Sequence, residues 1–366
     1  MAQLPIGVDI GSTAVRMLQV GGSERDLRVV DAGKIAMPRE ATDRPEGRRD
    51  AVADAVRRLM KERRFRGREA VMALAPEQAS VRNIRMPAMD AAELDGAVHW
   101  EAQNKFPFDT ATAVIQYQRA GQVTQGNEAL EEIIVFAAPR AEVDAAIDLA
   151  SEAGLTLVSL DAEPCTIFRG FERFLQRRED EEVASVIADV GARTKVVISR
   201  GREIVFVKTI PIGGAVFNRA VAECLDLEPA EAEALRRRIG GRAAEGEIDE
   251  HDRAARAVAD AIRPHLEDLA DEIGLCLRYY SVTFRAPRPE TLQLTGGEAH
   301  NPTIPAALGN RLGMRAEVAD PFRRVRTDHL DPVLDRRGIR AEWATAFGLS
   351  LKGFHLDRVA SGQYAA

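Results

Sequence analysis

Short apolar runs separated by glycine turns predict strands at the start of the chain. Ile6, Val8 and Ile10 read as a buried strand that carries Asp9, and residues 15–20 as a second strand after the turn Gly11-Ser12-Thr13. A third strand at 27–30 follows Gly21-Gly22-Ser23. The period then changes: Val52, Ala55, Val56, Leu59 and Met60 fall on one face of a helix over 49–64. Residues 71–76 read as a buried strand and 39–48 as a charged surface loop. From residue 80 the order predicted is strand 81–87, helix 91–105 capped by Asp90, strands 114–118 and 130–138, helix 141–153 and strand 155–160. The strands at 114–118 and 130–138 are joined by a glycine-containing connection at 121–127. This β-α-β-β-α-β order over 80–160 predicts a small α/β unit inserted into a larger fold.

The pattern then starts again. Val186-Ile187-Ala188-Asp189-Val190-Gly191 repeats the apolar-Asp-apolar-Gly series of the N-terminus, 189 − 9 = 180 residues later. It too opens three strands, at 186–190, 195–199 and 204–210. A duplicated strand-turn-strand unit at this separation predicts two similar domains facing each other. Ile212-Gly213-Gly214 leads into a helical stretch to about 281, with one helix opening at Pro229 and a break at 240–246. A long amphipathic run with Pro264 near its middle occupies 249–280. A strand at 291–295 ends in Gly296-Gly297, a helix covers 304–312, and a small-residue helix over 341–354 suits tight packing at a domain hinge.

Asp9 beside a glycine turn admits two readings: a carboxylate that caps a hairpin, or one that holds the waters of a Mg²⁺ ion while turn N–H groups meet phosphate oxygens. The second copy, with Asp189, decides for the phosphate reading, because two facing loops with one Asp each form a clamp for a triphosphate. Glu163, beside Pro164 at a predicted helix start, either caps that helix or orients a water near the terminal phosphate. Composition narrows the partners. With 50 Lys and Arg against 57 Asp and Glu, the net charge of −7 argues against nucleic acid. Cys165, Cys224 and Cys276 sit in apolar helical contexts without metal-like spacing and read as buried thiols of a reducing compartment. The expected localisation is cytoplasmic, since no signal peptide or apolar run of about 18 residues is evident.

Asp9-Ile10-Gly11-Ser12-Thr13, Asp189-Val190-Gly191 and Leu294-Thr295-Gly296-Gly297, in this order, resemble the two phosphate motifs and the adenosine motif of the actin, Hsp70 and sugar-kinase superfamily. The helices at 163–164 and 341 look like its two connecting helices. Within the superfamily, Ile84-Arg85-Met86-Pro87, Glu101-Ala102, Phe106-Pro107-Phe108, Asp161-Ala162-Glu163-Pro164 and Asp320-Pro321-Phe322 resemble the PilM family of type IV pilus assembly proteins, relatives of FtsA. Residues 240–251 depart from that pattern. The resemblance implies an α/β, actin-like ATPase fold of two duplicated ribonuclease-H-like domains with an inserted subdomain. Its divisions would be 1–80 and 161–185 (subdomain 1A), 81–160 (1C), 186–215 and 286–366 (2A), and 216–285 (2B).

Residue by residue, the resemblance implies that Gly11, Ser12 and Thr13 wrap the β-phosphate of ATP, while Asp9 and Asp189 hold hydrated Mg²⁺. Gly191, Ala192 and Arg193 would sit by the γ-phosphate, and Gly296 and Gly297 by the adenosine. Glu231, Glu233 and Arg236 match a helix placed against ribose and base, or are surface charges. No side chain stands out as the cation that a fast ATPase needs at the γ-phosphate, so hydrolysis is expected to be slow or absent. The expected protein is a cytoplasmic scaffold that grips the N-terminal segment of a PilN-like inner-membrane protein in a groove lined by residues from about 86 to 108. It would be peripheral to the membrane through that partner, meet other pilus assembly proteins, and leave self-association open. Phe106 and Phe108 also read as core, the commoner fate of two closely spaced phenylalanines. The alternatives are a small-molecule kinase, for which no acceptor-activating Asp stands out, and an FtsA-like filament protein, whose amphipathic membrane helix is not found in 359–366.

Overall fold

The computed structural model describes residues 3–38, 47–125, 128–175, 178–247, 252–328 and 339–360. Most of the expected loop at 39–48, the expected connection at 126–127, part of the divergent stretch at 248–251 and the tail from 361 lie outside them. Two five-stranded sheets carry the fold, and they share one topology. The first is built from β1 (Gln3–Ile10), β2 (Ala14–Ser23), β3 (Asp26–Ala36), β4 (Glu69–Leu74) and β8 (Thr156–Ala162), in the order β3-β2-β1-β4-β8. The second is built from β9 (Ala184–Val190), β10 (Thr194–Arg200), β11 (Glu203–Ile210), β12 (Thr291–Thr295) and β13 (Arg315–Val318), in the order β11-β10-β9-β12-β13. In each, an antiparallel three-strand meander is extended by parallel strands beside its first member. This is the duplicated two-domain architecture expected from the repeat at Asp9 and Asp189, and it agrees with the actin-like fold that the resemblance implies.

Both central strands read as unbroken apolar runs because both of their faces are covered. On β1, one face meets α1 (Arg48–Glu62) through Val52, Val56 and Leu59, and the other meets α9 (Ala344–Ala360) through Ala346 and Phe347. Ser350 fastens α9 to the sheet: its hydroxyl donates to the Pro5 carbonyl at 2.7 Å and accepts from the Val20 N–H at 3.0 Å. The second sheet is covered by a helical excursion made of α5 (Gly214–Leu225), α6 (Pro229–Ala244) and α7 (Arg253–Phe284), and by α8 (Thr303–Leu312) after β12. α6 runs through Gly240 and ends at Ala244, within the stretch 240–246 where a break is expected, and Gly246 after it adopts φ +71°.

The inserted unit is smaller than the sequence suggested. Its sheet contains β5 (Ser80–Pro87), β6 (Ala113–Gln125) and β7 (Glu128–Pro139), in the order β5-β7-β6, covered by α2 (Ala91–Ala102). The helix and strand expected to complete it, α3 (Arg140–Glu152) and β8, belong to the first domain. β8 pairs parallel with β4, and Ala150 on α3 packs into the first core. Strand pairing decides membership here, and pairing is not legible from alternation alone. The insertion grows out of the first domain yet leans on the second. Asn83 Nδ2 donates to the Val207 carbonyl at 2.7 Å, and Gln118 Nε2 donates to the Ile204 carbonyl at 2.9 Å, so both satisfy the outer edge of β11. Tyr279 of α7 donates to the buried Glu132 carboxylate of β7 at 3.0 Å.

The cysteines divide differently from the expectation of three buried thiols. Cys276 is buried and Cys165 is half-buried, but Cys224 at the end of α5 is exposed. Burial pushes the Cys165 thiol up to about 12 and the Cys276 thiol up to about 11. A thiol reagent at pH 8 is therefore expected to modify Cys224 alone in the native protein and all three after denaturation. Rapid loss of all three native thiols would contradict this packing.

Candidate functional site

The two hairpins that open the domains place their turns and carboxylates alike. Asp9 and Asp189 are each the last residue but one of their strands, β1 and β9, and both are buried. In the first turn the Gly11 N–H donates to the Ala14 carbonyl at 3.0 Å; in the second the Gly191 N–H donates to the Arg193 carbonyl at 3.1 Å. Both glycine N–H groups are thus spent inside the turns. Among the described residues the N–H groups of Ser12, Thr13, Ala192 and Arg193 have no hydrogen-bond partner, and they are the groups left for an anion. The carbonyls of the loops are held from behind. Arg48 of α1 donates to the Gly11 and Ser12 carbonyls at 2.8 and 3.2 Å. The Gly214 and Ala215 N–H groups, at the start of α5, donate to the Gly191 and Ala192 carbonyls at 2.8 and 3.2 Å.

Each aspartate faces a cation that reading along the chain did not single out. Arg16 is the cross-strand partner of Asp9, and Lys195 that of Asp189. Arg16 Nη1 lies 3.4 Å from Asp9 Oδ2, and Lys195 Nζ lies 3.0 Å from Asp189 Oδ2. Each cation also meets a second carboxylate, from a residue at the entrance to a connecting helix. Arg16 Nη2 is 3.1 Å from Glu342, in the short 3-10 helix Ile339–Trp343 that precedes α9. Lys195 Nζ is 3.1 Å from Glu163, the first residue of α4 (Glu163–Glu172). Glu342 in turn accepts from Lys34 Nζ at 2.7 Å. Hairpin register would have exposed both pairs, because side chains directly opposite on one face are neighbours.

The electrostatics of this cluster are those of a site short of positive charge. Burial pushes the Asp9 and Glu163 carboxyls above the usual carboxylate range, against the pull of Arg16 and Lys195. Burial alone would lower the Lys195 amine, but Asp189 and Glu163 hold it above the ordinary lysine range, so it stays charged. Asp189 Oδ1 also accepts from Thr295 Oγ1 at 2.8 Å, which ties the end of β12 to the second loop. Among the described residues no three His, Cys, Asp or Glu converge closely enough to hold a metal directly. Four carboxylates, Asp9, Glu163, Asp189 and Glu342, meet three cations, Arg16, Lys34 and Lys195, and leave negative charge over. That excess, beside four free N–H groups, suits a hydrated divalent cation carried on phosphates.

The remaining expected site residues separate into three groups. Glu163 does not cap α4: the cap residue is Ala162 and no side chain bonds there, and the Glu163 carboxylate instead meets Lys195. Arg193 extends away from the loop to Glu77, 3.1 Å away in the turn after β4, and so links the two domains at the rim. Gly296 adopts φ +91°, where a Cβ would strike the Val190 backbone, and Gly297 has open space around it. On α6, Glu231 closes a capping box with Glu228 and Glu233 pairs with Arg237 at 2.7 Å. Their side chains are occupied by their own helix. Arg236 is no surface charge: it is buried over Phe217 and bonded to Asn218 and to Glu298, the residue after Gly297. Arg237, not foreseen, reaches across the cleft to Thr13 Oγ1 at 3.4 Å. Met86 and Phe106, expected to line a peptide groove, are buried in the core of the insertion, and Phe108 packs partly buried against it. Trp100 on α2 stands 66% exposed instead.

Comparison with known proteins matches this architecture. The family model described as type IV pilus assembly protein PilM matches residues 7–354. A solved PilM-PilN type IV pilus biogenesis complex aligns with a TM-score of 0.78 at 26% identity, covering 95% of this chain and 98% of that one. The ethanolamine utilization protein EutJ from Carboxydothermus hydrogenoformans aligns at 0.55 and 15% identity, covering 96% of this chain and 90% of that one. MreB5 of Spiroplasma citri bound to ADP aligns at 0.52 and 10% identity, covering 97% of this chain and 98% of that one. The last two share the fold. No curated protein sequence matches.

Proposed function

The chain belongs to the PilM family of type IV pilus assembly proteins, and from that premise we propose that it is an ATP-binding scaffold of pilus assembly, holding the cytoplasmic N-terminal segment of a PilN-like membrane protein. The observation that carries the nucleotide part is the pair of matched hairpins, each with a buried Asp, an opposing cation and free turn N–H groups. Ser12 and Thr13 would hold the β-phosphate and Ala192 and Arg193 the γ-phosphate through their N–H groups. Gly11 and Gly191 shape the turns. Asp9 and Asp189 would hold waters of Mg²⁺, which supplies charge neutralisation between the phosphates. Adenosine would lie against Gly296 and Gly297, with Arg236 steadying Glu298 beside them. Glu231 and Glu233 then contribute through α6 rather than by direct contact.

ATP acts in this reading as a ligand that closes the domains, with slow or no hydrolysis. Because the insertion leaves the first domain and rests on β11 and α7 of the second, closure moves its support. Partner and nucleotide are then coupled, each changing the other's affinity by the same factor. Among the described residues no helix is long and apolar enough to cross a membrane. Placement at the cytoplasmic face of the inner membrane would come from the partner.

The test is direct. ATP with Mg²⁺ should raise the thermal midpoint of the purified protein and change its affinity for a PilN-like N-terminal peptide. No shift and no binding by calorimetry would remove the nucleotide from the reading. For the partner, the exposed face of α2 with Trp100 is the contact expected, since Met86 and Phe106 are enclosed. Trp100→Ala should weaken peptide binding by roughly tenfold or more, as buried tryptophan anchors do, and leave the midpoint unchanged. Undiminished affinity would move the peptide off this face.

A further inference from the structure

We propose that Lys195 is the cation that meets the terminal phosphate of a bound nucleoside triphosphate and makes the cleft prefer a triphosphate over a diphosphate. This rests on the nucleotide reading above and deepens it. Lys195 projects from β10, the strand that leaves the second phosphate loop, so its amine belongs to the loop assigned to the outermost phosphate. Its ammonium contacts Asp189 at 3.0 Å and Glu163 at 3.1 Å; an ammonium has three donors, so one is left for a ligand.

The two halves of the cleft explain why it stands there. In the first, Arg16 lies between Asp9 and Glu342; in the second, Lys195 lies between Asp189 and Glu163. Each half therefore contains a loop aspartate, a cross-strand cation and a carboxylate from the entrance to a connecting helix. A lysine that only filled a gap would be matched by one carboxylate. Here two carboxylates brace it and leave the trio net negative, so a phosphate could approach the third donor only together with the Mg²⁺ that brings the missing positive charge. Glu163 is accordingly a positioning residue. Its Oε2 lies 3.1 Å from the Lys195 amine as an ion pair and so helps to hold that amine in place.

Calorimetry of ATP and ADP on the full chain, with Mg²⁺ present, tests this. Lys195→Met should weaken ATP by about tenfold or more and ADP by less than about threefold, the difference expected of one charge-assisted contact to the added phosphate. Lys195→Arg, which keeps the charge, should restore most of the ATP preference. Should the Met variant fail to fold, the same affinity ratio in Lys195→Gln decides. Equal losses for ATP and ADP, or none, would show that Lys195 is structural only and overturn the inference. A wild-type protein that binds neither nucleotide would overturn the nucleotide reading itself, and this inference with it. The two failures are therefore distinct.

Discussion

Asp9→Ala is expected to cut the affinity for ATP with Mg²⁺ by roughly 10- to 150-fold while leaving the nucleotide-free protein as stable as before, or more so. The first part follows from the loss of one charge-assisted contact, worth about 1.5 to 3 kcal/mol. The second follows from burial, which pushes the Asp9 carboxyl above its usual range: without a ligand, the folded state disfavours its charged form. Arg16 is not stranded by the change, since Glu342 still lies 3.1 Å from it. A structural carboxylate would behave the other way round, with stability lost and nucleotide affinity hardly moved. Calorimetry for the affinity and a thermal scan without ligand separate the two cases. An ATP affinity unchanged within about threefold would sink the phosphate-loop assignment of Asp9.

Gly348→Ala is expected to be among the most destabilising single-methyl changes in the chain. Gly348 lies where α9 crosses α4, and a Cβ there would overlap the Thr166 carbonyl oxygen. The obstacle is backbone, held by the Arg169 guanidinium that donates to the Gly348 carbonyl at 3.1 Å, so no side chain can swing aside. Relief requires the two connecting helices to separate. Overpacking of this kind costs about 3 kcal/mol, corresponding to a fall of the thermal midpoint by roughly 5 to 10 °C. Gly241→Ala is the matched control. It lies inside α6 with no atom within 4 Å of an added Cβ, so the helix should gain up to about 1 kcal/mol. Similar midpoints for the two variants would mean that the α4–α9 crossing is slack. Because Glu163 and Glu342 sit at the entrances to these helices, Gly348→Ala should also weaken nucleotide binding.

Much of the architecture was legible before any coordinates. The apolar-Asp-apolar-Gly series at Asp9 and Asp189 foretold two similar sheets, and both have the same strand order. The small residues of 341–354 foretold a tightly packed helix, and Gly348 and Ala346 make those contacts. Such features are local. They rest on the period of side chains along one segment and on the room that a missing Cβ leaves. Where the sequence misled, the cause was pairing over distance. α3 and β8 alternate like the insertion before them, yet β8 joins β4 of the first sheet. Phe106 and Phe108 fall in the stretch expected to line a groove, although core is the commoner fate of two close phenylalanines, and the insertion's core encloses Phe106 and packs against Phe108.

The chain by itself determined the repeat, the two glycine turns that open the domains, their aspartates and the glycine turn at 296–297, since each is a run of adjacent residues whose types set the local backbone. Only the tertiary structure decided the charges around them. Arg16 and Lys195 are ordinary basic residues of strands until hairpin register sets them opposite Asp9 and Asp189. Glu163 and Glu342 are 342 − 163 = 179 residues apart, and they meet the two cations only because α4 and α9 enter the cleft side by side. Arg237 of α6 reaches Thr13 of the first turn across 224 residues, a contact between the two domains. A charge pair depends on separation in space, falling off over a few ångströms, and nothing in the spacing along a chain encodes that distance.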